Sequence, residues 1–153
     1  MAFYVESLYN KLMNQLLFST QMALFVIRFF SAGFMLFFHG VPKLQKYSFL
    51  LDKFPDPLGV GSAVSITLVI FAECLCSVLV LLGVATRLTV IPLIITMVVA
   101  VFIVHAGDPF AKKELGLAFL CCYLALFFGG PGAFCVPIKR FFAKRSWVNW
   151  VFG

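Results

Sequence analysis

Arg28 lies within an apolar run, RFFSAGFMLFFHGVPK, that closes on His39-Gly40-Val41-Pro42-Lys43. A guanidinium is charged at any working pH and carries five N–H donors. Set at membrane depth it must face a protein interior or a cavity and find a partner there. Glu73 is the acid that answers by position. It stands eleven residues after Ser62, where a second apolar stretch begins, and Arg28 stands eleven residues before His39, where the first ends. At about 1.5 Å of rise per residue both fall roughly 16 Å below the same surface, so the spacing predicts an Arg28–Glu73 ion pair between antiparallel neighbours. Two roles are open for such a pair: a registry device for helix packing, or the polar floor of a cavity.

The same geometry gathers further polar groups. Eleven steps of about 100° bring His39 back to the face of Arg28. His105 ends a third apolar stretch at the same surface, so His39, Lys43, His105, Asp108 and Glu114 are expected to rim a funnel above the pair. Cys76 follows Glu73 by three residues and Cys121 follows Glu114 by seven, which puts each thiol on the face of its acid and makes the two candidate redox groups. No short His spacing defines a ligand set, so neither a metal site nor haem ligation is assigned. The five cysteines are an odd number without Cys-x-x-Cys, and they imply neither a disulfide framework nor a thioredoxin-like motif.

The elements that position these groups follow from composition. Of 153 residues, 63% are hydrophobic, 12% are charged and 20 are Phe; the mean hydropathy is +1.06. This is the composition of an integral membrane protein, and with about 20 residues per crossing the length suits a single bundle with no separate soluble enzyme domain. Apolar stretches predict four spans at about 21–39, 62–82, 88–105 and 114–128. Gly40 with Pro42, Gly83, and Gly129-Gly130-Pro131-Gly132 serve as stops, and Ser19 and Thr20 as a cap before the first span. Residues 41–61, rich in Pro, Gly, Lys and Asp, read as a long functional loop.

The expected fold is therefore all-α: an integral membrane four-helix bundle with interfacial segments at both ends, forming one domain over 1–153. Residues 1–18 read as a retained amphipathic helix rather than a cleaved leader, and residues 137–153 as a basic, aromatic surface segment. The net charge of +6 is accounted for by anionic lipid rather than nucleic acid. Four spans put both termini on one side, here side A. Outside the spans, side A carries six Lys and Arg (Lys11, Arg87, Lys139, Arg140, Lys144, Arg145) and side B five (Lys43, Lys46, Lys53, Lys112, Lys113). The excess favours a cytoplasmic side A by a small margin.

The order of motifs resembles the DoxX family of small four-helix membrane proteins over roughly residues 24–132. The resemblance rests on Arg28 with His39-Gly40-x-x-Lys43-Leu44, Glu73 with Leu81-Leu82-Gly83-x-x-Thr86-Arg87, Met97 and Ala100, Glu114, and Gly130-Pro131-Gly132. After Gly132 many relatives continue with a Ser-Leu-Asp type segment, whereas this chain reads Ala133-Phe134-Cys135-Val136-Pro137. What the resemblance implies is a bacterial inner-membrane protein. Some relatives look like small subunits of thiosulfate:quinone oxidoreductase, and others are associated with complexes handling thiols. The expectation is a redox subunit rather than a self-sufficient enzyme, with quinone as candidate ligand and with a partner subunit or a second copy as companion. The alternative is a non-catalytic binding, transport or assembly component using the same cavity.

Overall fold

The computed structural model describes residues 2–136, so the interfacial segment expected at 137–153 lies outside the described residues. The described chain is all-α, with no strand. Its elements are α1 (Ala2–Phe34), a π-helical turn (Met35–Gly40), α2 (Val41–Gln45), α3 (Tyr47–Leu50), α4 (Ser62–Ile70), a second π turn (Phe71–Cys76), α5 (Ser77–Leu82), α6 (Thr86–Val99), a third π turn (Ala100–Val104) and α7 (Phe110–Gly129). Because the π turns are continuous with their flanking helices, these elements make four long rods. Three of the rods, Tyr4–Gln45, Ser62–Leu82 and Thr86–Val104, are long and apolar enough to cross a membrane. The fourth, α7, has 20 residues but carries Lys112, Lys113 and Glu114 just after its first two residues.

The first rod departs from expectation at both ends. No break separates the N-terminal segment from the first span, because Thr20 turns its hydroxyl back onto the Leu16 carbonyl (2.9 Å) instead of capping a new helix. At its other end the helix runs through Gly40 and Pro42 to Gln45. The π turn makes this possible: Val41 N–H donates to Leu36 O, five residues back, and Pro42 then falls in the first turn of α2, where its missing N–H costs little. The loop expected at 41–61 thus shrinks to about 51–61, with Lys43 on α2 and Lys46 in the turn between α2 and α3.

Other punctuation behaves as the sequence predicts. Gly83 takes the left-handed conformation (φ 73°) that ends α5, with Val84 N–H reaching back to Leu79 O. Gly130 (φ 86°) ends α7.

The core is narrow. The first rod presents Leu24, Arg28, Ser31 and Ala32 of α1 and Met35 of the first π turn inward at helical spacing. They meet α5 and α7 through Val80, Tyr123 and Leu126, and Leu93 of α6 belongs to the same core. The outward face of the same rod carries exposed Phe29, Phe30, Phe34, Phe37 and Phe38. An apolar surface of this kind suits lipid rather than water.

Candidate functional site

Two charged centres stand at different depths of the bundle, one at its side A end and one near the middle of the second rod. At the side A end Arg28 is only 1% exposed. Its Nη1 donates to Pro131 O (2.8 Å), and its Nη2 donates to Ala133 O (3.1 Å) and Phe134 O (2.9 Å). The ring of Phe25 lies 5.4 Å from the guanidinium carbon. The acceptors exist because the chain reverses after α7 through left-handed positions at Gly130, Gly132 and Phe134, leaving carbonyls that no helix can use. Gly83 packs directly against Arg28, where a Cβ would collide with Nη1.

Glu73 is therefore not the partner of Arg28. The two are not level because the first helix does not end at His39 but runs on to Gln45. Gly40, not Arg28, is level with Glu73: a Cβ on Gly40 would come within 2.7 Å of the Glu73 carbonyl oxygen. Arg28, twelve residues earlier, lies about 18 Å away along the axis. The cation that reaches Glu73 is Lys43, whose Nζ stands 2.7 Å from Oε1 and 2.5 Å from Oε2. The Glu73 side chain is 4% exposed and that of Lys43 26%. Sequence reading placed Lys43 on the rim; carrying the helix one turn past His39 would have revealed it as the counter-ion.

Above this pair lies a cavity of about 370 Å³. Lys43, Glu73 and His105 are its charged and titratable lining, and its walls are mostly apolar, from α4, α6 and the third π turn. Phe54, Pro55, Pro57, Leu58 and Val60 of the 51–61 loop roof it. That loop is fastened by Asp56, which accepts from Val60 N–H (3.0 Å), Gly61 N–H (2.7 Å) and Ser65 Oγ (2.9 Å). The Gly61 N–H is the main reason that the Asp56 carboxyl sits below its usual range. All three π turns contribute at this level: the first carries Gly40, the second Glu73, and the third Ala100 and Val104. Such turns occur frequently at functional sites because they re-aim side chains without ending the helix.

The remaining rim residues divide. Nδ1 of His105 is 2.7 Å from Asp108 Oδ2, and Lys112 donates to Asp108 Oδ1 (3.2 Å). His105 first and Lys112 second hold the Asp108 carboxyl below its usual range. His39 turns away from the cavity and sets its ring edge-on to Phe119, centroids 5.6 Å apart. Glu114 is exposed and does not line the cavity. The single funnel expected from the sequence is thus a cavity holding Lys43, Glu73 and His105, with Asp108 tied on through His105.

Cys76 is buried in the core, whereas Cys121 is exposed on α7. All five cysteines are free thiols, and the structure does not bring these two together as a pair. Among the described residues no three His, Cys, Asp or Glu side chains form a group able to hold a metal. A feature the sequence did not reveal is Tyr123, fully buried, stacked on Phe119 at 6.1 Å, with a hydroxyl that has no hydrogen-bond partner among the described residues.

Fold and site together define an all-α membrane protein with a small cavity floored by an ion pair. The DoxX family model matches residues 23–106, more than half of the sequence, and the chain belongs to the DoxX family. The match spans Arg28, Lys43, Glu73 and His105, hence both charged centres, and ends before α7. No curated protein and no solved structure matches the chain.

Proposed function

We propose that this protein is a multi-pass inner-membrane subunit of a redox system of the thiosulfate–quinone or thiol–quinone type, with the cavity above Lys43 and Glu73 as the place where the lipid-soluble partner is held. The observation that carries the reading is the cavity itself: about 370 Å³, within the size range of small-molecule sites, mostly apolar in its walls, with Lys43, Glu73 and His105 as its charged and titratable groups. A quinone fits this lining. Lys43 has three N–H bonds and shares two with Glu73, so the third is available to a carbonyl oxygen.

A bound quinone would supply the capacity to take up two electrons and two protons. The chain's own residues orient and protonate. Lys43 fixes the carbonyl end, the apolar walls exclude water, and His105 with Asp108 forms a titratable pair where cavity meets loop. Electrons come from a companion protein, in keeping with a subunit role. Both termini lie on the cytoplasmic side in this reading, supported by the small Lys and Arg excess of side A.

Decylubiquinone titrated into the purified protein in lipid nanodiscs tests the reading. Saturable binding is expected, with Lys43→Met weakening it about tenfold, the loss of one hydrogen bond to a polar group. Absence of saturable binding by the wild-type protein removes the quinone assignment. The second reading, a non-catalytic binding or assembly component, is favoured by the separation of Cys76 from Cys121, which leaves no thiol pair beside the cavity. Quinone retention without thiol- or thiosulfate-dependent reduction in membranes that contain the companion proteins would select it.

A further inference from the structure

The cavity has a fastened roof and an open side. Over its aqueous end, Asp56 binds the backbone of Val60 and Gly61 and the hydroxyl of Ser65, while Ser62 Oγ donates to Phe54 O at 2.9 Å. These bonds tie both ends of the roofing loop to the start of α4. The flank differs. α6 packs on the second π turn and on α5, but α4 and α6 have no extended packing against each other, and the cavity lies between them. Leu68 of α4 and Ile95 of α6 line it, and each is 55% exposed.

The depth of this gap decides what can pass. Leu68 is six residues below the start of α4, and Ile95 is ten residues before His105. At about 1.5 Å per residue these positions lie roughly 9 and 15 Å into the membrane, within hydrocarbon. A charged solute crossing there would lose its hydration, whereas a neutral molecule already dissolved in lipid would not. At the inner end of the path the charge of Lys43 is countered by Glu73, and what it offers is one N–H donor on a neutral floor.

From this we infer that the cavity is loaded sideways from the bilayer, through the gap between α4 and α6, by a neutral lipid-dissolved molecule with a carbonyl or comparable acceptor head. The inference rests on the cavity being a binding site, as proposed above, and adds the route and the charge class of the ligand. It holds for a quinone and equally for other neutral carbonyl compounds. The roofing loop acts as a fixed cover that keeps water from the Lys43–Glu73 pair.

Photolabelling in nanodiscs tests the route with two probes that share a diaryl ketone: neutral, membrane-partitioned benzophenone and charged, water-soluble 4-benzoylbenzoate. Benzophenone is expected to label cavity-lining peptides of α4 and α6 saturably, and benzoylbenzoate at least about tenfold less, a difference of about 1.4 kcal/mol in effective affinity. The double variant Leu68→Trp/Ile95→Trp, which fills the gap, is expected to reduce benzophenone labelling by a similar factor. Asp56→Asn, which loosens the roof, is expected to leave the labelling rate unchanged. Equal labelling by both probes, or faster labelling in Asp56→Asn, would overturn the lateral route while leaving the cavity a binding site. Failure of both probes to label the cavity would overturn the binding-site reading together with the route. The comparison of probes on the wild-type protein decides the matter even where the Trp variant does not fold.

Discussion

The buried ion pair sets the energetic stakes at the scale of single residues. Removing one member of a buried pair leaves an uncompensated charge, at a typical cost of about 3–5 kcal/mol, whereas removing both is far milder. Glu73→Gln or Lys43→Met alone should therefore lower the thermal midpoint in detergent micelles much more than Lys43→Met/Glu73→Gln together. Additive losses in the double variant would show that the two side chains do not depend on one another. Asp56 gives a second residue-scale expectation. Its folded pKa is depressed, so its hold on the loop is complete above the ordinary carboxylate value of 3.8 and is lost as the pH falls through the lower folded value. The amide proton of Gly61, followed by NMR, should titrate with a midpoint below 3.8, and a midpoint at or above that value would contradict the fastening described for this loop. Residue type alone showed that Arg28 and Glu73 need partners. It could not show which partners, because carbonyls exposed by a reversed chain leave no mark in composition, and because Lys43 sits beyond a Gly and a Pro that normally end a helix.

At the scale of elements, the sequence was read well where a stop signal acts through backbone conformation and poorly where packing overrides it. Gly83 and Gly130 end helices because they adopt positive φ. Gly40 does not end one: its lack of a Cβ is used for close approach to the Glu73 backbone instead. Pro42 is absorbed by the π turn before it. A π turn is in effect an α-turn holding one extra residue, so removing a single outward residue from it should leave the flanking faces in place. Deletion of Phe37, exposed within Met35–Gly40, should be tolerated, with α1 and the Lys43–Glu73 contact retained. Deletion of Phe30 from the regular part of α1 should instead turn the inward Leu24–Arg28 face by about 100° relative to Met35, and folded yield should be lost. Yield and monodispersity on size exclusion measure both, and equal loss in the two deletions would contradict the assignment of that turn. The four-rod plan and the second and third rods were legible from apolar run length, and the loop before α4 was legible from its Pro and Gly only over 51–61. The joining of the N-terminal helix to the first span was not, since an interfacial helix and the start of a crossing have the same local pattern when no breaker lies between them.

For the molecule as a whole, Arg28 joins parts of the chain that are far apart in sequence. Its three acceptors lie in residues 131–134, and that segment is stitched to two rods at once: Ala133 N–H donates to Gln21 O at 3.0 Å and Val136 N–H to Leu82 O at 3.1 Å. The end of the fourth rod is thereby fixed across the first and second, closing the bundle at side A much as the Lys43–Glu73 pair links the first and second rods towards side B. Shape matters as much as charge in this closure. A guanidinium presents its donors in a planar fork able to reach Pro131, Ala133 and Phe134 together, while a Lys ammonium is a compact point charge on a flexible stem. Arg28→Lys should therefore keep the charge but lose part of the closure. Each buried carbonyl left without a donor costs about 1–3 kcal/mol. Hydrogen exchange at the Ala133 and Val136 amides reads this directly. Both amides should be protected in the wild-type protein and should exchange at least about tenfold faster in Arg28→Lys, equivalent to about 1.4 kcal/mol of lost local stability, and faster still in Arg28→Gln. Amides of α4, at the opposite end of the bundle, should be unaffected. Uniform acceleration across all four rods would instead mean that Arg28 sustains the bundle globally, and unchanged protection at Ala133 and Val136 would mean that the two backbone bonds hold the segment without it.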